Sequence, residues 1–278
     1  MDAYHIPPPA GTHVLPSDVP LGQWYPFFMQ WQVPVATSIA YTILSFYFNS
    51  KIKRSQQTKS KDAVKPKSRL TPINMVVLIH NALLAAYSAW AFWSVFPRFV
   101  SNLSQKGMRD GLCDIDGSLW NAILFSQNYL FYLSKYWELL DTAIILFKGR
   151  PASFLQIYHH AGIIIIMYLS NYYSSAVTVF MVWENAGVHT VMYTYYALTA
   201  AGINPPGKKY LTTLQIVQFL VGQASVLLYF VLPNCQSADQ RKWMWSVTAY
   251  LLPLIYLFVR FFVKTYSKRA GTTAKKTQ

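Results

Sequence analysis

Charged side chains are scarce in this 278-residue sequence, since only 12% of residues are Asp, Glu, Lys or Arg, whereas 53% are hydrophobic and 17% are aromatic. This composition is too apolar for an ordinary soluble domain of that length. We also expect no secretory signal peptide, because the first 25 residues are Pro-rich and lack a basic stretch followed by an apolar one. We therefore expect the chain to enter a membrane through its own first apolar helix.

Seven apolar runs fill most of the chain, and each approaches or exceeds the ~20 residues that a spanning helix needs. They cover residues 27–48, 71–96, 118–147, 153–172, 175–200, 211–232 and 243–263. The sequence therefore predicts an all-α membrane protein with seven transmembrane helices. It divides into an N-terminal arm (1–26), a seven-span domain (27–265) and a basic tail (266–278).

Acidic residues are few, with 10 against 24 basic residues and a net charge of +14. In a seven-span arrangement most of the basic residues fall on one side: Lys51, Lys53, Arg54, Lys59, Lys61, Lys65, Lys67, Arg69, Lys148, Arg150, Lys208, Lys209, Arg260, Lys264, Lys268, Arg269, Lys275 and Lys276. The positive-inside rule then places the tail in the cytoplasm and the N-terminus in the lumen. Because topology accounts for the basic excess, we expect no nucleic-acid partner.

The sequence has only two cysteines, Cys113 and Cys235, and both fall in predicted non-cytoplasmic loops, where disulfides persist. We predict a bridge between them, and two free thiols are the alternative. The segment 97–117 is predicted to be one of these loops. It contains the sequon Asn102-Leu103-Ser104, which makes Asn102 a candidate for N-glycosylation.

Three ionisable side chains interrupt the third apolar run. Lys135, Glu138 and Asp141 lie at i, i+3 and i+6, with Thr142 next, so they occupy an arc of roughly 120° on one helix face. Ionisable groups inside a bilayer are costly and by default indicate a functional site. We expect them to face one cavity; a buried ion-pair network that only holds helices together is the alternative.

The next three runs carry further polar groups at helical spacing: Gln156, His159 and His160; Asn185, His189, Met192, Tyr193 and Tyr196; Thr212, Gln215 and Gln218. Several of these groups start near the cytoplasmic side, which predicts a polar pocket that opens to the cytoplasm. Hydrogen bonding between helices is the alternative for the glutamines. In the second run, His80 and Asn81 fit a buried polar link or a site role equally well.

Histidine is too scarce for a di-iron centre. Two of the six histidines, His5 and His13, lie in the N-terminal arm, and the other four are scattered along the chain. A single zinc ion held by His and carboxylate ligands has little else in its favour, so we expect no metal. Imidazole can instead act as a base, a proton shuttle or a nucleophile. Adjacent His159 and His160 point ~100° apart on a helix and are not expected to share one role.

Four motifs run in series through these helices: Lys135-x-x-Glu138-x-x-Asp141-Thr142, Gln156-x-x-His159-His160, Asn185-x-x-x-His189-x-x-Met192-Tyr193-x-Tyr195-Tyr196 and Thr212-x-x-Gln215-x-x-Gln218. In this order and spacing they resemble the ELO family of very-long-chain fatty acid elongases. The seven-span layout extends the resemblance to nearly the whole chain.

The resemblance implies a 3-ketoacyl-CoA synthase of the endoplasmic reticulum membrane. It would condense a long-chain acyl-CoA with malonyl-CoA, release carbon dioxide and CoA, and need no cofactor. The fold implied is six helices in a ring around a narrow acyl tunnel, with a seventh helix beside it. The ketoacyl reductase, dehydratase and enoyl reductase of the elongation cycle are expected partners, beside membrane lipid and a second copy in a homodimer.

The resemblance also implies roles for individual residues. His159 would accept the acyl group, His189 would assist at the carbonyl or in decarboxylation, and His160 would complete the catalytic histidines. The pocket would be shaped by Lys135, Glu138, Asp141, Gln156, Asn185, Met192, Tyr193, Tyr196, Gln215 and Gln218. Lys148, Arg150, Lys208 and Lys209 suit the phosphates of CoA, although they equally satisfy the positive-inside rule.

Gln156 departs from the family pattern, in which this position is most often histidine. Glutamine does not titrate near neutral pH, so an acid or base role is not expected there, and the family members with Gln lean towards polyunsaturated substrates. At the other end of the chain, Lys275 and Lys276 resemble a dilysine retrieval signal. A seven-span transporter or receptor with a buried polar site is the alternative function.

Overall fold

The computed structural model describes residues 16–58 and 71–274, and this part of the chain is helical and contains no strand. Within these described ranges, eight α-helices follow one another: α1 (Tyr25–Phe28), α2 (Gln32–Thr58), α3 (Pro72–Cys113), α4 (Phe125–Phe147), α5 (Phe154–Tyr173), α6 (Thr178–Ala200), α7 (Lys208–Val231) and α8 (Ala238–Ala274). The predicted all-α class is confirmed for the described residues, and each predicted apolar run lies largely within one of α2 to α8.

In the part of the chain that the structure describes, three helical segments are long and apolar enough to cross a membrane by length and composition alone: Pro72–Cys113, Lys208–Val231 and Ala238–Tyr266. Large apolar side chains such as Ile43, Trp93 and Trp245 are exposed on the outside of the helices. Exposed apolar surface of this kind suits lipid rather than water. The number of spans and the arrangement of the helices in a ring stay predictions.

The turn between α4 and α5 is held against α2, which fixes where α5 begins. Asn49 of α2 donates from Nδ2 to the carbonyl of Ala152 at 2.9 Å and accepts from the backbone N–H of Ala152 at 2.8 Å. Ser153 then caps α5 by accepting a hydrogen bond from the backbone N–H of Gln156 at 3.1 Å. The first turn of α5 is therefore positioned by its own cap and by a neighbouring helix.

The segment 97–117 is mostly helical, so the predicted loop there is wrong. Helix α3 continues to Cys113, with one non-helical residue at Gly107 (φ 79°) where the chain folds back on itself. Asn102 is buried; its Nδ2 donates to the carbonyl of Gly111 at 2.8 Å, and its Oδ1 accepts from Ser118 at 3.3 Å. Because Nδ2 is the atom that a glycan would occupy, Asn102 is not available for glycosylation in this fold.

Cys113 and Cys235 form a disulfide that joins the end of α3 to the connection between α7 and α8. The hydroxyl of Tyr229 donates to the carbonyl of Leu112 at 2.7 Å beside it, so α7 also hydrogen-bonds to this end of α3. The lumenal location of the bridge stays a prediction.

Candidate active site

A cavity of about 680 Å³ lies among the described helices, and most of the predicted site residues line it. They are Glu138, Asp141, Gln156, His159, His160, Asn185, His189, Met192, Tyr193, Tyr196, Gln215 and Gln218, with Lys148, Arg150 and Lys208. Lys135 and Lys209 do not line the cavity. The four motifs therefore meet at one place, although they are spread over α4 to α7.

Lys135 lies behind the cavity wall and neutralises Glu138, which faces the cavity. Its Nζ is 2.6 Å from Glu138 Oε1 and also donates to Asn185 Oδ1 at 3.1 Å, and both charged side chains are buried. The ammonium group also stands 3.8 Å from the ring centroid of Phe131. On the cavity side, His189 Nδ1 is 3.5 Å from Glu138 Oε1. Glu138 therefore lies between the buried ammonium group of Lys135 and the imidazole of His189.

Asp141 accepts hydrogen bonds from two sides. Tyr193 donates from its hydroxyl to Oδ2 at 2.7 Å, and His80 Nε2 is 2.8 Å from Oδ1. Trp137 Nε1 donates to His80 Nδ1 at 3.1 Å. Since Nδ1 must accept this bond, the neutral imidazole carries its proton on Nε2 and donates it to Asp141. His80 is thus a positioning residue for the cavity wall.

Thr142, one residue further along α4, fixes the first position of the paired-histidine motif. Its hydroxyl is 2.8 Å from that of Tyr41 and accepts from Gln156 Nε2 at 3.0 Å. One N–H of the Gln156 side-chain amide therefore donates a hydrogen bond to the neighbouring helix α4. This contact agrees with a structural role for Gln156 rather than an acid or base role.

His159 has one ring nitrogen held by Tyr250 of α8. Nδ1 is 3.0 Å from the Tyr250 hydroxyl, and that hydroxyl is also 3.1 Å from the carbonyl oxygen of His159. A carbonyl can only accept, so the single hydroxyl proton of Tyr250 goes to it, and Nδ1–H must donate to the hydroxyl oxygen. The other nitrogen of His159, Nε2, is therefore unprotonated in the neutral ring and carries a free lone pair.

Gly162 allows Tyr250 to come this close to α5. A Cβ atom on Gly162 would overlap with Cε2 of the Tyr250 ring, so a larger residue does not fit there. The glycine is required here because an aromatic ring packs directly on the helix backbone.

His160 is buried on a different side of α5, with its ring centroid 5.3 Å from that of His159 and 6.3 Å from that of Tyr41. Its Nδ1 has no hydrogen-bond partner among the described residues, and its ring borders the cavity. The two adjacent histidines therefore have different surroundings, as the helical spacing predicts.

Basic side chains surround one end of the cavity, where Lys148, Arg150 and Lys208 contribute to its lining. Partial burial and, to a smaller extent, the neighbouring Arg150 lower the pKa of Lys148. Lys209 instead points over the ring of Phe262, 5.7 Å from its centroid. Three of the four cations predicted for a phosphate-bearing ligand are thus at the mouth of the cavity.

A narrow slot of about 40 Å³ continues from the cavity and shares His159, Asn185, Gln218 and Phe219 with it. Beyond these four residues its wall is mainly apolar: Phe131, Ile163, Met167, Val177, Phe180, Met181, Gly222, Val226, Val247 and Leu251, with Glu184 and Tyr250. The cavity is therefore polar at the histidines and lined by hydrocarbon beyond them.

Residues 26–274 match the GNS1/SUR4 family, ELO, which covers nearly the whole described chain. The chain belongs to the ELO family. Among similar proteins, Very long chain fatty acid elongase 3 of Homo sapiens is 34% identical over 203 residues, which is 71% of this chain and 73% of the relative. Fatty acid elongase A of Dictyostelium discoideum is 31% identical over 205 residues, or 71% and 74%. Long chain fatty acid elongase 1 of Caenorhabditis elegans is 28% identical over 272 residues, or 92% and 86%.

The predicted resemblance to the ELO family is thus confirmed, and this ELO chain has a role in fatty acid elongation. Its apolar helices and its relatives together indicate a multi-pass membrane protein. No group of three or more metal-ligating side chains is found in the described part of this ELO chain. The residues named from the sequence that lie outside the described ranges are His5, His13, Lys59, Lys61, Lys65, Lys67, Arg69, Lys275 and Lys276.

Two positioning residues of this ELO chain were not assigned from the sequence. The sequence does not decide the role of His80, because a lone histidine in an apolar run fits either a structural or a functional role. Tyr250 gives no signal at all, since it is one of 20 tyrosines and lies in an apolar helix distant in sequence from the four motifs. Only the packing of α8 on α5 shows that its hydroxyl reaches His159.

Proposed function

We propose that this elongase catalyses the condensation step, in which a long-chain acyl-CoA and malonyl-CoA give 3-oxoacyl-CoA, carbon dioxide and CoA. The observation that carries the proposal is the fixed tautomer of His159, which leaves Nε2 as a free nucleophile in the wall of a cavity that continues into an apolar slot. The apolar wall of the slot suits the methylenes nearest to a thioester, whose carbonyl carbon would then lie next to the imidazole.

The reaction proceeds in two steps. In the first, Nε2 of His159 attacks the thioester carbon and the C–S bond breaks. The acyl group stays on Nε2 of an imidazolium that keeps its proton on Nδ1, and CoA leaves as a thiolate that takes a proton from water. In the second, malonyl-CoA loses carbon dioxide to form an enolate, which attacks the acyl carbon. A C–C bond forms, the C–N bond breaks, and His159 returns as a neutral imidazole.

The neighbouring groups suit the charges that develop. His189 Nδ1 lies 3.5 Å from Glu138 Oε1, and an N–H of the His189 ring can donate a hydrogen bond to an enolate oxygen. The side-chain amide of Asn185 lies at the junction of cavity and slot and can orient the thioester carbonyl. Apolar walls around the acyl chain would protect an acyl-imidazole from water.

The wider setting follows the family resemblance. We propose an endoplasmic reticulum membrane location, with the N-terminus lumenal and the basic tail cytoplasmic, so that CoA phosphates meet Lys148, Arg150 and Lys208 at a cytoplasmic mouth. Polyunsaturated acyl-CoA is the proposed substrate class, on the basis of Gln156. The reductases and dehydratase of the cycle would act on the product, and a homodimer is compatible with this arrangement.

The test is a condensation assay with the purified protein, a polyunsaturated acyl-CoA and malonyl-CoA labelled in its free carboxylate. We expect labelled carbon dioxide and 3-oxoacyl-CoA in equal amounts, both dependent on the acyl-CoA. If acyl-CoA instead crosses the membrane of reconstituted vesicles unchanged and no carbon dioxide appears, the chain is a transporter and the proposal is wrong.

Tyr250→Phe is expected to lower the condensation rate by about 10- to 100-fold with little change in the KM for acyl-CoA. The phenyl ring still packs on Gly162, but the acceptor for Nδ1–H of His159 is lost, so the reactive tautomer is no longer fixed. The measurement is a steady-state rate at saturating acyl-CoA.

Tyr158→Phe is the matched control, because it removes a hydroxyl that donates to the backbone carbonyl of Tyr250 at 3.2 Å and does not touch the ring of His159. Its condensation rate should stay within about twofold of wild type, because the lost hydrogen bond does not hold the proton on Nδ1 of His159. The loss of one neutral hydrogen bond lowers the stability of the fold by only about 1 kcal/mol. Equal losses in the two variants would contradict the assigned role of Tyr250.

A further inference from the structure

Glu184 is a buried carboxyl group to which the mechanism above gives no task. Only 7% of the residue is exposed, and Oε1 has no hydrogen-bond partner among the described residues. It belongs to α6 and borders the narrow slot that continues from the cavity. Lys135, a buried lysine in the same site, already donates to Glu138 and Asn185.

The surroundings of Glu184 are those of a hydrocarbon site. Phe180, Met181, Val226 and Val247 line the same slot. Across it, a Cβ atom on Gly222 would lie 3.5 Å from Glu184 Oε2, so the carboxyl group approaches α7 at a position without a side chain. A leucine or methionine at position 184 would make this part of the slot wall entirely apolar. The carboxyl group of Glu184 is therefore an exception among apolar neighbours.

A buried polar group without a partner is costly, and the cost is largest for a charge. A carboxyl group in such a place is held as the neutral acid, which has one O–H donor and an acceptor oxygen. The ligand that matches both is an alcohol, since a hydroxyl group also donates once and accepts. Inside a membrane protein an isolated carboxyl group on the wall of a ligand slot indicates function.

We propose that Glu184 is a specificity-determining residue that hydrogen-bonds a hydroxyl substituent on the acyl chain, so that hydroxylated acyl-CoA is a preferred substrate class. This inference rests on the proposed function, because it places the acyl chain in the slot. Glu184 precedes His189 by five residues, about 7.5 Å along the axis of α6. The hydroxyl group therefore lies several carbons beyond the reacting carbonyl, in the half of the chain nearer to the thioester.

The experiment is a competition in one vessel between an acyl-CoA and its monohydroxylated derivative of the same length, with the hydroxyl group moved carbon by carbon through that half of the chain. Mass spectrometry gives the ratio of the two elongated products. We expect the wild-type protein to favour the hydroxylated chain at one or two adjacent positions. Glu184→Met should lower that ratio about tenfold, because the apolar side chain leaves the hydroxyl group unpaired.

Two further variants separate polarity from shape. Glu184→Gln keeps a donor and an acceptor and should retain most of the preference. Met181→Leu alters the same slot without changing its polarity and should leave the ratio unchanged.

Three outcomes overturn the inference. The first is a product ratio in which the wild-type protein elongates no hydroxylated acyl-CoA better than the unsubstituted acyl-CoA of the same length. This result can be read from the wild-type protein alone. The second is an unchanged ratio in Glu184→Met, which would mean that the carboxyl group only binds water. In both cases the parent chain is still elongated, so the proposed condensation stands. If neither chain is elongated by the wild-type protein, the proposed function fails and the inference fails with it.

Discussion

His159→Ala is expected to lower the rate of 3-oxoacyl-CoA formation by at least about 10³-fold, because it removes the nucleophile on which the acyl group is carried. Without Nε2, the enolate of malonyl-CoA would have to attack the thioester directly. The measurement is product formation by the purified variant at saturating concentrations of both substrates. The amount of acyl-CoA bound should change little, since the slot and the basic mouth are intact.

His159→Asn is the matched control for structure. An asparagine amide can still donate a hydrogen bond towards Tyr250 but has no nucleophilic nitrogen. It should be as inactive as the alanine variant while its thermal unfolding remains close to that of wild type. Activity within about tenfold of wild type in either variant would show that the acyl group is not carried on His159.

Lys135→Met is expected to lower the free energy of unfolding by about 3–5 kcal/mol, the largest stability effect that we predict. It leaves the buried carboxylate of Glu138 without its cation, and an uncompensated buried charge is far more costly than the loss of the pair itself. Replacing both partners, as in Lys135→Met combined with Glu138→Leu, should recover most of the loss. Unfolding of the detergent-solubilised protein, followed by loss of helical signal with denaturant, measures the difference.

Lys242→Met provides the comparison, because Lys242 and Asp239 form a pair with the same i, i+3 spacing but are both exposed, with an Nζ to Oδ1 distance of 2.7 Å. Solvent screens an exposed pair, so the change in the free energy of unfolding there should be small. If the Lys135 and Lys242 variants were equally stable, or if the double replacement were worse than the single one, the buried pair would not have the role assigned to it.

The polar face of α4 was predictable because helical geometry alone places Lys135, Glu138 and Asp141 on one arc, and burial of charge leaves few options other than a shared site. Their partners were not predictable in the same way. Sequence spacing gives the direction of a side chain on its own helix, whereas the contact of Asp141 with His80 depends on how α3 packs against α4. The same limit explains why Tyr250 was missed.

The segment 97–117 shows a different limit. Its polar residues fit a loop, yet α3 extends through it, because Gly107 lets the helix fold back and Asn102 satisfies the backbone of Gly111. A short three-residue sequon carries no information about burial. Glu184 also cannot be assigned from the sequence, since a single carboxyl group outside the four motifs has no spacing pattern that indicates a role.

The most direct test of the central claim is to incubate the protein with acyl-CoA in the absence of malonyl-CoA, digest it and search the peptides by mass spectrometry. We predict an acyl group on the peptide that contains His159, absent in His159→Asn and removed when malonyl-CoA is added before digestion, with 3-oxoacyl-CoA released in equal amount. An acyl group on a different residue, or active protein with no adduct at any time before malonyl-CoA is added, would contradict the account.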